Sequence, residues 1–171
     1  MFSHFKRSIG VLSGGALATI MVATASSSIS AAVEQPTIFV SLSGDWAGDG
    51  NVATKAGSNE SIRCRAKYTV NDRGDYLQQA LRCASDSYKF EISSTMSYSN
   101  GGIVGTWADA IANVAGQLTG NVYPDRIKGS VNGSLFSASV AVITDGTKQS
   151  VNIEPTGTSI RAITITMKKK K

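Results

Sequence analysis

Apolar and polar residues alternate along most of the chain beyond about residue 41. The clearest alternation runs from Ser61 to Val70. One face carries Ile62, Cys64, Ala66, Tyr68 and Val70, and the other carries Arg63, Arg65, Lys67 and Thr69. A period of two places successive side chains on opposite sides of a β-strand. The stretch therefore predicts a strand with one buried face and one face in water.

Similar alternations recur at spacings of about ten to twelve residues, separated by turn formers such as Asn132-Gly133. Residues 109–113 are the only plausible helical segment, and the sequence leaves a helical turn and a wide loop both open. Short hairpin connections without a long crossover favour a closed barrel over a sandwich. We therefore predict an all-β fold, an antiparallel up-and-down meander of about 8–10 strands that closes into a small soluble barrel.

An outer-membrane barrel is the competing interpretation of the same alternation. Such a barrel carries a broad apolar band on its outer face, with aromatic residues at both edges. The outward positions here include Arg63, Arg65, Lys67, Lys89 and Glu91. Charges at these positions favour a soluble barrel.

The only two cysteines, Cys64 and Cys83, lie on opposite arms of one predicted hairpin. If its turn is centred between Arg73 and Gly74, the two cysteines are direct cross-strand partners on the apolar face. We predict a disulfide, which on the chain-entropy model stabilises the fold by about 3 kcal/mol; two free buried thiols are the alternative. The same register places Arg65 opposite Arg82.

The N-terminus has a short basic region, then an uncharged apolar region, then a region of small residues suited to cleavage. This is the pattern of a secretory signal peptide. We expect residues 1–32 to be the signal, cleaved after Ala25 or Ala32, with an uncleaved membrane anchor as the alternative. Residues 33–40 then form an extended arm, 41–167 the barrel and 168–171 a basic tail. The mature protein would be periplasmic or secreted, with no transmembrane span.

Charge and composition exclude several function classes. Of the 17 Lys and Arg, two lie in the signal and four in the terminal run, which leaves eleven against 12 Asp and Glu in the folded body. A nucleic-acid surface is therefore not expected. The single histidine, His4, lies in the signal. A mature chain without histidine lacks the usual base for a nucleophilic triad and an imidazole metal ligand, so we expect no enzyme, no cofactor and no metal.

Four short motifs carry a resemblance to known proteins; they are Ser43 to Gly50, Arg63 to Ala66, Leu81 to Ser85 and Gly105 to Trp107. The chain resembles small exported alphaproteobacterial proteins of unknown function with a calycin-like barrel of the lipocalin and avidin type. The resemblance implies the barrel and the disulfide, with the Gly-x-Trp indole of Trp46 packed across one end. Bacterial inhibitors of secreted metalloproteases share the general plan of signal, Gly-x-Trp, one disulfide and small barrel.

Two candidate sites follow from these predictions. The outer face of the cysteine hairpin is a candidate anion site formed by Arg63, Arg65, Lys67 and Arg82, unless Glu60, Asp86 or Glu91 neutralises it. The inward aromatic residues are candidate lining of a ligand cavity, unless side chains fill the barrel; they are Trp46, Tyr68, Tyr88, Phe90, Trp107 and Phe136.

The leading functional hypothesis is a non-enzymatic binding or cell-envelope support module. Its partner would be an anionic envelope component or a small apolar ligand. A lipocalin-like carrier of a small apolar ligand is one alternative. The other is an inhibitor of a secreted protease that acts through a projecting arm at residues 33–40.

Overall fold

The computed structural model describes residues 38–171, which form one short helix and ten β-strands. Each strand pairs antiparallel with the next along the chain, and the first strand also pairs with the last, so the sheet closes into a barrel. The predicted all-β meander is confirmed. The elements are α1 Ile38–Leu42, β1 Gly44–Thr54, β2 Asn59–Val70, β3 Tyr76–Ala84, β4 Lys89–Ser99, β5 Gly102–Asp109, β6 Val114–Val122, β7 Ile127–Gly133, β8 Ser137–Asp145, β9 Lys148–Thr156 and β10 Ile160–Lys169.

The cysteine hairpin has the register that its sequence predicts. Cys64 lies opposite Cys83, and Arg65 lies opposite Arg82. The two cysteines form a disulfide with their Cα atoms 4.1 Å apart. Gly74 takes a positive φ of 74° in the connecting turn, a conformation that a residue without Cβ adopts at little cost. Local turn chemistry and the apolar alternation therefore specify the same pairing.

Helix α1 closes one end of the barrel, and residues 38–40 are helical where an extended arm was expected. Phe39 is fully buried, and the Nε1–H of Trp46 donates a hydrogen bond to the carbonyl oxygen of Leu42 at 2.7 Å. This bond ties the helix to the first strand. We call the end of the barrel that α1 covers, where β1 begins, the closed end. The opposite end, which carries the turns at 110–113 and 134–136, is the open end.

The predicted basic tail is shorter than the sequence suggested. Lys168 and Lys169 belong to β10, opposite Ala47 and Trp46 of β1. The Nζ of Lys169 lies 5.8 Å from the centre of the Trp46 ring and donates to the carbonyl oxygen of Ser41 at 3.2 Å. A strand partner and a cation–π contact therefore order a residue that charge alone assigned to solvent.

Residues 110–113 form a short turn between β5 and β6. The one helix of the described residues is α1, so the prediction that only residues 109–113 could be helical is wrong. The predicted signal peptide and residues 33–37 of the predicted arm lie outside the described residues. Within residues 38–171, no helix has the length and apolar character needed to cross a membrane.

The barrel wall is packed unevenly. We call β10, β1, β2 and β3 the packed wall, because most of its inward side chains are at most 8% exposed. We call β6, β7 and β8 the cavity wall, because most of its larger inward side chains are half-buried; they include Leu118, Val122, Ile127, Val131, Val140 and Val142. The difference places free space on one side of the barrel.

Candidate ligand cavity

The barrel encloses a cavity of about 320 Å³. Phe39 and Leu42 of α1 form part of its lining at the closed end. The exposed residues Lys89 and Ala112 line it at the open end, so the cavity reaches solvent there. Its size lies at the lower end of the range for small-molecule sites. Side chains therefore do not fill this barrel. Of the two possibilities that the sequence left open, a ligand cavity and a filled barrel, the structure has the cavity.

Four of the six predicted aromatic residues line this cavity: Tyr68, Phe90, Trp107 and Phe136. Trp46 instead lies under α1, where it is fully buried and contacts the Tyr68 ring edge-on at 6.4 Å between centroids. Tyr88 stands in the β3–β4 turn and stacks on Phe90. The parity of the strands predicted which aromatic side chains point inward. It did not predict that the helix would cover one of them.

Glycines on the cavity wall make room for the Trp107 indole. Trp107 of β5 lies opposite Gly116 of β6, and Gly116 lies opposite Gly133 of β7. A Cβ on Gly133 would lie 2.9 Å from Cζ2 of Trp107, which is too close. The indole therefore occupies the volume that a side chain at this position would take, and it contacts Phe136 at 5.3 Å between ring centroids.

A chain of hydrogen-bonded polar side chains lies near the closed end of the barrel. The hydroxyl of Tyr68 donates to Oε1 of Gln149 at 2.8 Å, and Nε2 of Gln149 donates to the Thr144 hydroxyl at 3.4 Å. Burial raises the pKa of the Tyr68 hydroxyl above its usual value, and the hydrogen bond to Gln149 opposes this only in part. Tyr68 and Gln149 line the cavity, and the Thr144 hydroxyl beside them completes the chain, so these bonds fix the two lining side chains near the closed end.

A second polar group lies on β3, β4 and β5. Gln79 is directly opposite Ser94, and Ser94 is directly opposite Trp107. All three line the cavity. The Ser94 hydroxyl donates to Oε1 of Gln79 at 2.9 Å. Among the described residues, Nε1 of Trp107 is the one buried side-chain nitrogen or oxygen without a hydrogen-bond partner.

Two charged side chains line the cavity, Lys89 and Asp109. Lys89 is exposed at the open end, whereas Asp109 is buried. The Oδ1 atom of Asp109 accepts hydrogen bonds from the backbone N–H groups of Glu91, Ile111 and Ala112, at 3.4, 2.8 and 3.3 Å. This carboxylate therefore holds the β5–β6 turn in place.

The candidate anion site lies on the outer face of the packed wall. Arg63, Arg65 and Lys67 project from β2, and Arg82 projects from β3. Arg82 pairs with Glu91 of β4, with Nη2 and Oε1 2.6 Å apart. Glu91 is the acid that the sequence offered as a neutralising neighbour. Anion binding at this face stays a prediction.

Two acidic residues of β1 lie beside the same surface. Asp49 is directly opposite Arg63, and Asp45 is directly opposite Lys67. Opposite charges at such positions stabilise a sheet modestly. They also leave Arg65, opposite Ala47, with less negative charge beside it than its neighbours have. Within residues 38–171, no cluster of three or more His, Cys, Asp or Glu side chains has a metal-binding arrangement.

Sequence reasoning missed several cavity residues. Gln149 comes from β9, 81 positions from its partner Tyr68, and nothing in the local pattern of β9 indicates the contact. Phe39 lies in the segment that was expected to be an extended arm, and Leu42 lies just beyond it; the helix that brings both to the cavity was not predicted. Gln79 carried a detectable signal, because it is a polar residue on the inward parity of β3 between Leu77 and Leu81.

Comparison with solved structures supports the architecture. The crystal structure of Rv2717c from M. tuberculosis aligns with a TM-score of 0.63 at 12% identity, covering 80% of this chain and 98% of that one. The S-type phycobiliprotein lyase CPES from Guillardia theta aligns with a TM-score of 0.58 at 10% identity, covering 78% and 91%.

No family model and no curated protein matches the sequence. At such low identity, the structural likeness shows the fold alone. The chain shares a barrel fold with these two proteins, and its cavity has to be interpreted from its own residues.

Proposed function

We propose that this protein binds one small, predominantly apolar molecule inside the barrel and performs no chemistry on it. The observation that carries the proposal is the cavity of about 320 Å³, closed by α1 at one end and reaching solvent at the other. Concave sites lined by apolar and aromatic side chains, with few polar groups, are the usual sites for small molecules. Burial of apolar surface would supply most of the affinity.

The polar groups of the cavity support binding over catalysis. Tyr68, Gln149 and Thr144 are bonded to one another, and Asp109 is bonded to backbone N–H groups. Neither group has a free nucleophile with a base beside it, which acyl-transfer chemistry requires. Non-enzymatic binding is therefore the function that these contacts favour.

Export is part of the same proposal. A disulfide persists in oxidising compartments, and a Cys64–Cys83 bond fits a periplasmic or secreted protein. The protease-inhibitor alternative needs a projecting arm. Phe39, however, is fully buried in the barrel, so the described part of the predicted arm, residues 38–40, is anchored there. A ligand-binding module in the cell envelope is the role that we propose.

The test is titration of the disulfide-bonded protein, purified without its predicted signal, with N-phenyl-1-naphthylamine. This neutral probe fluoresces strongly when it leaves water. We expect saturable binding of one probe per barrel. Val140→Phe should abolish binding, because Val140 lines the cavity and its partner Gly129 has no side chain to oppose the larger ring.

The matched control is Ser139→Phe on the same strand. Ser139 is exposed on the outer face, so the same ring there should leave probe affinity unchanged. Circular dichroism confirms that both variants fold. The proposal fails if the wild type shows no saturable binding, or if Val140→Phe binds the probe as well as the wild type does.

A further inference from the structure

The cavity lining carries one fully buried hydrogen-bond donor that has no partner in the described residues. The Trp107 side chain is 5% exposed, and no acceptor within residues 38–171 reaches its Nε1–H. An unpaired buried donor costs about 1–3 kcal/mol, and nearly all such groups in folded proteins have a partner. Phenylalanine would keep most of the apolar contacts of the ring without that cost. A tryptophan at this position is therefore explained if its N–H binds a molecule other than the protein.

The other tryptophan provides a comparison within the same molecule. Trp46 is also buried, and its Nε1–H donates to the carbonyl oxygen of Leu42. That contact fixes α1 on the barrel. Trp107 lies on the cavity lining and has no backbone acceptor in the described residues. One indole N–H serves the fold, and the other belongs to a ring that lines the cavity and has no partner in the described residues.

The neighbours of Trp107 extend the polar site. Ser94, directly opposite, donates to Oε1 of Gln79 and so satisfies that amide oxygen. This arrangement leaves Nε2 of Gln79 without an acceptor in the described part of the chain. N–H donors thus lie on both sides of Ser94, and all three residues line the cavity. The site has donors to offer and needs an acceptor.

Charge decides which kind of acceptor fits. Lys89 is the one cationic residue of the described cavity lining, and it is exposed at the open end. Asp109 lies two residues after Trp107 on β5, so its side chain points to the same inner face. Its buried carboxylate is part of the cavity lining. An anionic ligand group at the donors would lie near that carboxylate without a buried counter-charge, which is unfavourable. A neutral oxygen acceptor avoids this cost.

We propose that the ligand is an uncharged, predominantly apolar molecule with a carbonyl oxygen that accepts the Nε1–H of Trp107, with Gln79 as the neighbouring donor. This rests on the proposed function and narrows it to a ligand class. The cavity is about twice the volume of one that holds benzene, so a bicyclic aromatic ketone is a suitable probe.

The experiment compares two probes of nearly equal shape, 2-acetylnaphthalene and 2-isopropenylnaphthalene. The second replaces the carbonyl oxygen by a methylene group. The dissociation constants of both are measured for the wild type, Trp107→Phe and Trp46→Phe. The ratio of the two constants is compared between proteins, because the difference between the probes in water enters each ratio equally and cancels in that comparison.

We expect Trp107→Phe to reduce the preference for the ketone by on the order of fivefold, the usual effect of one neutral hydrogen bond. Trp46→Phe removes an indole N–H that is bonded elsewhere, so its ratio should match that of the wild type. Infrared spectra give a second readout that needs no variant. The carbonyl stretch of the bound ketone should lie below its frequency in a hydrocarbon solvent.

The outcomes separate the two proposals. If neither probe binds the wild type, the proposed function fails. If both bind, but the ratio is unchanged in Trp107→Phe or the carbonyl stretch equals its hydrocarbon value, apolar binding stands and the carbonyl inference is overturned.

Discussion

The two walls of this barrel have the same strand pairing and the same alternation, but they differ in what their inward side chains contact. On the packed wall, Ile62, Leu77 and Met167 are almost completely buried against their neighbours. On the cavity wall, Leu118, Val131 and Val140 are half-buried because they face open volume. The disulfide, α1 and Lys169 all reinforce the packed wall. One side of the barrel therefore carries stability, which leaves the other free to hold a ligand.

Matched leucine substitutions provide the strongest test of this comparison. Leu77→Ala on the packed wall should lower the free energy of unfolding by about 3–4 kcal/mol, because it opens a cavity in a packed region. Leu118→Ala on the cavity wall should cost about 1–2 kcal/mol, since part of that side chain already faces open volume. Urea unfolding followed by circular dichroism measures both losses. Equal losses would mean that the two walls do not differ energetically.

The disulfide should matter nearly as much. Cys64→Ala/Cys83→Ala removes a link between residues 19 positions apart and should lower the free energy of unfolding by about 3 kcal/mol. Reduction of the wild-type protein should give a loss of similar size. Thermal melting with and without reductant measures the effect. If the variant melts at the wild-type temperature, the packed wall does not depend on this bond.

The smallest expected effect is a pH dependence from Tyr68. Burial raises its pKa in the folded state, so the neutral hydroxyl is favoured there. Its contribution is fully present below the unfolded tyrosine pKa of about 10 and is lost as the pH rises further, by at most about 1.4 kcal/mol per pH unit.

Tyr68→Phe is the control for that dependence. It should lose about 1 kcal/mol at neutral pH, because Gln149 then lacks its donor. Its free energy of unfolding should also fall less steeply than that of the wild type between pH 9 and pH 11. Parallel curves for the two proteins would show that this hydroxyl does not titrate with folding.

Much of the barrel could be predicted because its information is local. The spacing of Cys64 and Cys83 about one turn gave the hairpin register, and that register also placed Arg65 opposite Arg82. The alternation gave the inward parity of Tyr68, Phe90 and Trp107. The alternation of a strand repeats every two residues, and a hairpin turn spans only a few. Both can therefore be recognised from a short stretch of sequence.

The sequence by itself determined the meander, the disulfide and which faces point inward. The tertiary structure alone decided that α1 closes one end and that Lys169 packs on Trp46 from the far end of the chain. It also decided that Gln149 bonds to Tyr68 and that the Trp107 N–H is left without an acceptor among the described residues. Contacts and cavities of this kind depend on how side chains from distant strands fill a shared volume. No local pattern carries that information.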